Sequence, residues 1–370
     1  MEKMAQGGEA LARLDDGRIC FVAGALAGEI AEVSIVQDKK DYAKGFADRI
    51  LERSAFRVEP RCPLYEKCGG CSLQHASFEC QLSMYRASVE ELFRRFAKTE
   101  LPEGWKIHAG KSYGYRNRAR LVRIGNGWGF RESKSHRLIP VSRCAVLSDA
   151  LNEAIAKNAF PKVSELSVFD NGNGKISYFH RGMTFSEFKK YATNTVALCG
   201  RSLSMDAACF FQSNLGLLPE LVKTVSNSAG SGNYLIDLYS GVGFFASLLQ
   251  EKFERIVTVE REPKALYHAK RNVSKARNVS APAEEWLAQN DASGADVLIV
   301  DPPRTGLLPS ALEAVAKAHP KKLLYVSCDP ATLARDFQRL SLHGYKIQKA
   351  EGFAFYPQTP HFEMFLELGC

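Results

Sequence analysis

From about residue 201 onward, the chain alternates short apolar runs with longer segments that carry apolar residues at helical spacing. The apolar runs contain β-branched residues and predict strands. We expect strands at Tyr234–Asp237, Ile256–Glu260, Val297–Asp301, Leu323–Ser327, Tyr345–Ala350 and Phe362–Leu368. Helical segments separate the earlier strands, which predicts a doubly wound α/β fold with a parallel sheet. The last two strands leave little room for a helix, so we expect them to form a hairpin at the sheet edge.

The first fifty residues follow a different pattern, in which short β-like stretches alternate with turn residues such as Asp15-Asp-Gly17. Several short strands in so few residues predict a small barrel of the OB type. Such barrels often bind nucleic acid, but the fold alone does not establish that function.

The middle of the chain is predicted to hold a helix over 76–98, followed by strands and loops over 105–200. Asn171-Gly-Asn-Gly174 is a hairpin turn signal. We therefore divide the chain into a barrel at 1–53, a central α+β domain at 54–200 and an α/β domain at 201–370. The helix at 76–98 has apolar and charged faces, and its apolar face can pack on the α/β domain.

The 370 residues are 45% hydrophobic and 24% charged, which is typical of a folded soluble protein of two or three domains. No long uncharged apolar run predicts a membrane helix, and the first residues lack the apolar core of a signal peptide. We expect a cytoplasmic protein and, by default, a monomer. Ten cysteines in such a chain favour metal binding or catalysis over disulfides.

Positive charge is concentrated in one segment of the chain. Residues 101–150 hold ten Lys/Arg against three Asp/Glu, whereas residues 201–370 hold eighteen of each. Alternation in an extended chain places Arg116, Arg118 and Arg120 on one face, without internal counter-charges. Basic residues interleaved with aromatics suit RNA or DNA, and this interpretation is favoured over a solvated strand face.

A nucleotide-type site is predicted after the first strand of the α/β domain. Asp237 ends that strand, Gly241-Val-Gly243 leads into a helix, and Glu260 ends the next strand with oxygens suited to ribose hydroxyls. Ala246 stands at the third glycine position of the dinucleotide fingerprint, which argues against a nicotinamide cofactor. The arrangement resembles the S-adenosylmethionine (SAM) site of Rossmann-like methyltransferases.

Asp301-Pro-Pro-Arg304 follows the next strand and resembles the motif of methyltransferases that act on nucleobases. Enzymes that methylate amino groups usually place an aromatic residue after the prolines, so Arg304 argues against amine methylation. The alternative is an ordinary strand exit with two prolines.

Cys328 lies at the end of a predicted strand, at the edge where ligands collect in open α/β sheets. A lone cysteine is usually a small buried hydrophobe. Methylation of uracil at C5, however, requires a thiolate that adds to C6 and a base that removes the C5 proton. Glu363 opens an otherwise apolar strand and His361 is close to it, so either could be that base.

Phe210-Phe-Gln-Ser-Asn-Leu-Gly216 offers a stacking ring and two amides that suit a uracil edge or the methionine end of the cofactor. The alternative is a helix start capped by Asn214.

Five motifs occur in the order found in the RNA uracil-C5 methyltransferase family, and the resemblance covers essentially the whole chain. They are Phe211–Asn214, Asp237–Gly243, Asp301–Gly306, Val326–Pro330 and Thr359–Glu363. The first fifty residues resemble the family's RNA-binding TRAM domain. The resemblance implies that Cys328 is the nucleophile and Glu363 the proton acceptor. It also implies a set of cofactor-contacting residues, namely Gln212, Tyr239, Gly241, Glu260 and Asp301. The RNA-contacting candidates are Phe211, Asn214, Arg116, Arg118, Arg120 and Arg304.

The sequence departs from the family at two positions. Phe244 stands where relatives often have a small residue near the cofactor, and Ala354 stands where an Asp is common. Both departures concern details of cofactor binding, not the reaction.

Cys62, Cys68 and Cys71 lie in one loop, and Cys144 is a candidate fourth thiol ahead of Cys80. The spacing alone suits zinc or an iron–sulfur cluster. It is not the C-x3-C-x2-C spacing of radical-SAM enzymes. The loop resembles the iron–sulfur branch of the same family, which implies a [4Fe-4S] cluster on these four positions, in a structural role.

We therefore expect SAM-dependent methylation of C5 of a uridine in RNA through a covalent Cys–uracil C6 adduct. The iron–sulfur branch mostly modifies 23S rRNA, which makes that RNA the favoured target, with tRNA as the alternative. An RNA cytosine-C5 methyltransferase would typically carry a cysteine near Asp301-Pro-Pro, and no cysteine lies between Cys209 and Cys328. A non-catalytic RNA-binding iron–sulfur protein is the third possibility.

Overall fold

The computed structural model describes residues 1–133 and 135–370. The N-terminal region is a sheet with the order β1-β2-β3-β5-β4. Its strands are β1 (Lys3–Met4), β2 (Ala10–Arg13), β3 (Ile19–Ala23), β4 (Ile30–Asp38) and β5 (Tyr42–Glu52). β3 and β5 pair in parallel and the other pairs are antiparallel. Small side chains such as Ala10, Val22 and Ala43 fill its core, as expected for a narrow barrel.

The first helix of the central region follows the cysteine loop. Helix α1 (Phe78–Leu92) is capped by Ser77 and continues as a π-helical turn over Phe93–Ala97. The remaining elements are β6 (Lys106–His108), β7 (Arg118–Ile124), β8 (Gly127–Arg131), β9 (Leu138–Pro140), α2 (Asp149–Ala156), β10 (Glu165–Asp170) and β11 (Ile176–Phe179). A sheet of order β11-β10-β7-β8-β9 forms the centre of this region.

A short linking segment joins the central region to the large sheet. It contains α3 (Phe185–Glu187), which continues as a π-helical turn over Phe188–Ala192, and the antiparallel pair β12 (Thr193–Leu198) and β13 (Arg201–Asp206). Apolar residues of this pair, such as Val196 and Met205, share a buried core with Leu235 of the large sheet.

The C-terminal region is built on an eight-stranded sheet with helices on both faces. Its elements are α4 (Leu218–Ala229), β14 (Gly232–Leu238), α5 (Phe244–Leu249), β15 (Phe253–Glu260), α6 (Pro263–Asn272), β16 (Arg277–Ser280), α7 (Ala283–Gln289), β17 (Val297–Val300), α8 (Pro309–Ala318), β18 (Lys322–Ser327), α9 (Pro330–Ser341), β19 (Lys346–Phe353) and β20 (Glu363–Gly369). The sheet order is β16-β15-β14-β17-β18-β20-β19-β6. Strands β14 to β18 are parallel, as predicted, and β20 is antiparallel to both neighbours. This topology confirms the Rossmann-like α/β fold.

The sheet edge differs from the prediction. β19 and β20 do pair as a hairpin, but β20 inserts between β18 and β19. β6, from the middle of the chain, covers β19 as a parallel edge strand. The end of helix α1 packs on the same region. In the π-helical turn that follows it, the ring centroid of Phe93 lies 6.3 Å from that of Phe337 of α9. In the described part of the chain, no helix is long and apolar enough to cross a membrane.

Candidate functional site

Cys328 and Glu363 lie on neighbouring strands at the carboxyl edge of the sheet. β18 and β20 are antiparallel, with Ser327 opposite Met364. One position closer to the carboxyl edge, Cys328 lies opposite Glu363. Asp301 leaves the adjacent strand β17 at the same edge, because Val300 pairs with Tyr325. Three predicted site residues that are far apart in the sequence therefore meet at one point.

The Glu363 carboxyl is buried, with the residue only 1% exposed, and its Oε2 has no hydrogen-bond partner among the described residues. Burial raises the pKa of Glu363 well above its ordinary value, and the nearby Asp301 carboxyl raises it further. A buried carboxyl with a high proton affinity and a free oxygen is suited to accept a proton from a bound ligand. His361, the other candidate base, lies on the exposed side of the same turn.

Burial raises the pKa of the Cys328 thiol to about 12, and the carboxyls of Glu363 and Asp301 add to the shift. Arg304 opposes it by favouring the thiolate. Asp329, the next residue, caps helix α9 by accepting hydrogen bonds from the amides of Ala331 and Thr332, both at 3.0 Å. The cap fixes the turn that carries the thiol.

The turn after β14 has the geometry of a ligand-binding loop. Tyr239 and Gly241 both have positive φ, at 58° and 54°. The Glu260 carboxylate holds the turn, because Oε2 accepts from the Gly241 amide at 2.8 Å and Oε1 from the Glu262 amide at 2.7 Å. Burial also raises the pKa of Tyr239 to about 12.

Two buried acceptors near this turn are available to a ligand. Asp237 Oδ2 accepts from the Ala246 amide at 3.0 Å, but Oδ1 has no partner in the part of the chain that the structure describes. The same holds for Oε1 of Gln212. Burial raises the pKa of Asp237 to about 8. Unpaired buried oxygens fit a cofactor that brings hydrogen-bond donors, as SAM does through its amino and hydroxyl groups.

Of the two adjacent phenylalanines in the predicted stacking segment, the RNA-contact candidate Phe211 is the buried one. Phe211 is 3% exposed and packs edge-to-face on Phe169 and Phe244, each with ring centroids 5.8 Å apart. Phe210, one residue earlier, is 69% exposed and is the open ring of the segment. Phe244, the first departure from the family pattern, thus completes an aromatic cluster with Phe211.

The segment between β19 and β20 is held from several sides. Asn214 Nδ2 donates to the Phe355 carbonyl at 3.1 Å, so its side chain fixes this loop and does not cap a helix. Tyr115 donates to the carbonyl of Pro357 at 2.9 Å and Tyr85 to that of Thr359 at 2.6 Å. Ala354, the second departure, is fully buried. We call residues 354–362, which lie between β19 and Glu363 at the start of β20, the catalytic loop.

The three arginines of the basic segment have separate environments. Arg116 lines the cysteine cavity described below. Arg118 is largely buried and donates to the carbonyls of Ala207 and Cys209. Arg120 pairs with Glu165 of the neighbouring strand β10. The stripe has no internal counter-charge, so this partner comes from another strand and could not be predicted from the pattern along β7.

Cys62, Cys68, Cys71 and Cys144 line one cavity of about 690 Å³, although Cys144 is 73 residues beyond Cys71 in the sequence. Burial raises the pKa of the Cys68 and Cys144 thiols. Cys62 raises both further, and Cys144 also raises that of Cys68. Burial also raises the pKa of Cys71 to about 12. Cys80 is not among the residues that line this cavity.

Sequence reasoning missed a second polar cluster, formed by Asp206, Cys209 and His268. His268 Nε2 lies 2.8 Å and Cys209 Sγ 3.3 Å from Asp206 Oδ2, and all three residues are buried. Asp206 Oδ1 accepts from the amides of Ala208 and Cys209. The carboxylate is thus fully engaged, and the cluster anchors the start of the segment that leads to Phe211.

A Rossmann-like sheet with a glycine turn, a ribose-type carboxylate and a thiol at the carboxyl edge defines a SAM-dependent methyltransferase. Comparison with known proteins identifies the group within this class. Residues 289–369 match the tRNA (Uracil-5-)-methyltransferase family, and residues 2–47 match the TRAM domain. An uncharacterized RNA methyltransferase of Treponema denticola is 30% identical over 98% of this chain and 96% of its own length.

The chain therefore belongs to the RNA (uracil-5-)-methyltransferase family. The 23S rRNA (uracil(1939)-C(5))-methyltransferase RlmD of Shewanella sediminis is 30% identical over 94% of this chain and 90% of its own length. Among solved structures, the tRNA (uracil-54, C5)-methyltransferase of Pyrococcus abyssi, crystallised with S-adenosyl-L-homocysteine, superposes with a TM-score of 0.78. It covers 100% of this chain and 99% of its own at 22% identity, which shows a shared fold.

Proposed function

We propose that the protein methylates C5 of a uridine in 23S rRNA through a covalent adduct between Cys328 and uracil C6. The observation that carries the proposal is the cross-strand placement of the Cys328 thiol opposite the buried Glu363 carboxyl. A nucleophile and a proton acceptor at adjacent positions can act on neighbouring atoms of one ring. C6 and C5 of uracil are such neighbouring atoms.

The chain's own residues supply the addition and elimination steps. The Cys328 thiolate adds to C6, which moves the ring electron pair toward C5 and the O4 oxygen as an enolate. SAM, when bound, supplies the methyl group that C5 accepts. The Glu363 carboxylate then takes the C5 proton, and the C6–S bond breaks to restore the double bond and the thiolate.

Arg304 favours the Cys328 thiolate and the Glu363 carboxylate, which are the forms that react in these steps. It lowers the pKa of both Cys328 and Glu363 against the raising effect of burial. Asp301 has a pKa raised by burial, so it can hold a proton near the ring without adding a full negative charge.

The favoured target rests on relatives that span nearly the whole chain. Several of them, including two from Shewanella species, are named as 23S rRNA (uracil(1939)-C(5))-methyltransferases. We infer the same class of RNA for this protein, with tRNA as the alternative target. Mapping of 5-methyluridine in rRNA and tRNA from a deletion strain tests this choice. Loss of the modification from tRNA alone would overturn the rRNA assignment.

We also propose that Cys62, Cys68, Cys71 and Cys144 hold a [4Fe-4S] cluster. The structure brings these four thiols to one cavity, although Cys144 comes from a distant part of the chain. Four thiolates are the donor set of a [4Fe-4S] cluster and also of a structural zinc site. The resemblance of the loop to the iron–sulfur branch of the family favours the cluster over zinc.

RNA containing 5-fluorouridine tests the covalent mechanism, because fluorine at C5 blocks the proton removal that releases the enzyme. The wild-type protein should form a denaturation-resistant complex with this RNA only when SAM is present. Cys328→Ala should form none, whereas Cys199→Ala, which removes an exposed thiol, should behave as wild type. A complex that persists in Cys328→Ala would refute the assignment of the nucleophile. No complex with any variant would favour a non-catalytic RNA-binding protein.

A further inference from the structure

We propose that an exposed surface around Phe185 binds single-stranded RNA beside the target uridine; this inference rests on the proposed function. The surface consists of Arg181, Phe185, Lys189 and Lys190, and we call it the Phe185 surface. Phe185 is 84% exposed, although large aromatic side chains are normally covered. An open ring surrounded by cations combines a stacking platform with attraction to phosphates.

The Phe185 surface is ordered by its own hydrogen bonds. Thr184 and Glu187 form a reciprocal capping box, in which the Thr184 side chain accepts from the Glu187 amide and the Glu187 carboxylate accepts from Thr184. Glu187 is the acidic residue of this segment and is occupied by the cap. Among the described residues, Arg181, Lys189 and Lys190 have no ion-pair partner, so their charge is available to a polyanion.

Aromatic packing fixes the surface to the body of the protein. Phe179 and Phe188 pack edge-to-face with centroids 5.9 Å apart, and the ammonium of Lys264 lies 4.6 Å and 5.6 Å from the two rings. Tyr178 stacks on Tyr191 at 5.3 Å. A preformed platform loses little conformational freedom when a base stacks on it.

Packing contacts connect the surface to the cofactor turn. Lys264 is in the first turn of α6, which starts soon after the Glu260 carboxylate that holds the cofactor turn. Phe179 packs against the core cluster that contains Val242 of that turn. RNA that enters the site from this side would therefore pass over Phe185. Charge complementarity favours RNA as the occupant over an apolar or basic protein surface.

The chain offers a matched control in a second segment with the same local structure. Phe93-Arg-Arg-Phe-Ala97 and Phe188-Lys-Lys-Tyr-Ala192 are both π-helical turns with an exposed basic pair. The first segment packs on Phe337, about 10 Å along α9 from its start, and Arg94 pairs with Glu91. Phe93 belongs to a different core cluster from the one that Phe179 packs against, so this segment serves as the control.

The test compares Phe185→Ala, Lys189→Ser/Lys190→Ser and the control Arg94→Ser/Arg95→Ser. RNA affinity is measured with transcribed 23S rRNA by filter binding across a KCl series, and kcat and KM are measured for methylation. Log affinity falls as log salt rises, and the magnitude of this slope should be smaller by about 1.4–1.8 in the lysine variant. The control variant should keep the wild-type slope. Phe185→Ala should weaken binding about 5- to 100-fold with kcat at saturating RNA unchanged.

Two results would overturn the inference. The first is that both surface variants bind RNA with the same affinity and the same salt slope as the control variant. The other is a fall in kcat with unchanged affinity, which would show that the segment supports the fold or the chemistry and not RNA binding. Thermal unfolding of each variant checks that it is folded. If wild-type protein neither binds nor methylates RNA, the proposed function itself fails, and this outcome is distinct from failure of the Phe185 surface alone.

Discussion

Gln81 and Gln358 exchange two hydrogen bonds although they are 277 positions apart in the chain. Gln81 Nε2 donates to Gln358 Oε1 at 3.0 Å, and the Gln358 amide donates to Gln81 Oε1 at 2.8 Å. The Gln358 carbonyl accepts from the amides of Ser72 and Leu73, directly after the cluster ligand candidate Cys71. This pair thus joins α1, the cysteine loop and the catalytic loop.

We expect Gln81→Leu to destabilise the protein and to slow catalysis. The change removes the hydrogen bonds that Gln81 makes with the buried Gln358 amide, with Gln358 Oε1 and with the Ala76 carbonyl. The Leu73 carbonyl loses one donor and keeps the Ala76 amide. The expected loss in the free energy of unfolding is about 3 kcal/mol. A displaced catalytic loop should lower kcat about 10-fold, with a smaller change in RNA affinity. Denaturant unfolding and single-turnover methylation measure the two effects.

The control for this prediction is Gln289→Leu, an exposed glutamine at the end of α7, which should change stability by less than about 0.5 kcal/mol. A double-mutant cycle with Gln358→Leu should give a coupling energy of about 1–2 kcal/mol. Additive effects of Gln81→Leu and Gln358→Leu would show that the pair does not act as a unit.

Glu363→Gln should trap the enzyme on ordinary RNA that contains no fluorine. The amide keeps the volume of the side chain but cannot accept the C5 proton, so the methylated adduct with Cys328 should accumulate. Multiple turnover should fall by about 100- to 10,000-fold, the usual contribution of a general base. Denaturing gels of radiolabelled RNA measure the adduct. His361→Gln is the control and should turn over normally, because His361 lies on the exposed side of the turn. Adduct accumulation in His361→Gln instead would transfer the role of base to His361.

Alkylation of Cys328 by iodoacetamide should depend steeply on pH in the free protein. Burial holds the thiol pKa at about 12, so the thiol is protonated near neutral pH. Its reactive thiolate fraction should therefore rise about tenfold for each pH unit between pH 7 and 9. Arg304→Gln removes a charge that lowers this pKa, so the rate at each pH should fall about 3- to 10-fold. Peptide mass spectrometry measures the rate, with the exposed Cys199 as the internal reference. A rate for Cys328 that does not change with pH would contradict a raised thiol pKa.

The sequence predicts those elements that local pattern determines. It does not predict contacts between segments that are distant in the chain. The strands that end at Leu238, Glu260 and Ser327 are evident from apolar runs, and their parallel order follows from the helices between them. The insertion of β20 beside β18 is a long-range pairing, so the alignment of Cys328 with Glu363 required the structure.

The direction of side chains in irregular segments could not be predicted from the sequence either. Phe210 and Phe211 are chemically identical neighbours, and only packing against Phe169 and Phe244 decides which ring is buried. The Gln81–Gln358 pair carries no sequence signal, because neither the spacing nor the composition of either segment indicates a partner 277 positions away.

Cys144→Ser should lose the cluster, and Cys80→Ser should keep it. Both residues lie outside the Cys62–Cys71 loop, but only Cys144 lines the same cavity as the thiols of that loop. After anaerobic purification, iron and acid-labile sulfide per chain should fall by at least about half in Cys144→Ser, since a cluster with one missing thiolate is easily lost. Cys80 lies in the first turn of α1, where its amide donates to the capping Ser77, so its replacement should leave both contents at the wild-type level. The opposite pattern would exchange the two residues in the ligand set. Zinc without labile sulfide in the wild-type protein would refute the cluster while leaving the four-cysteine site intact.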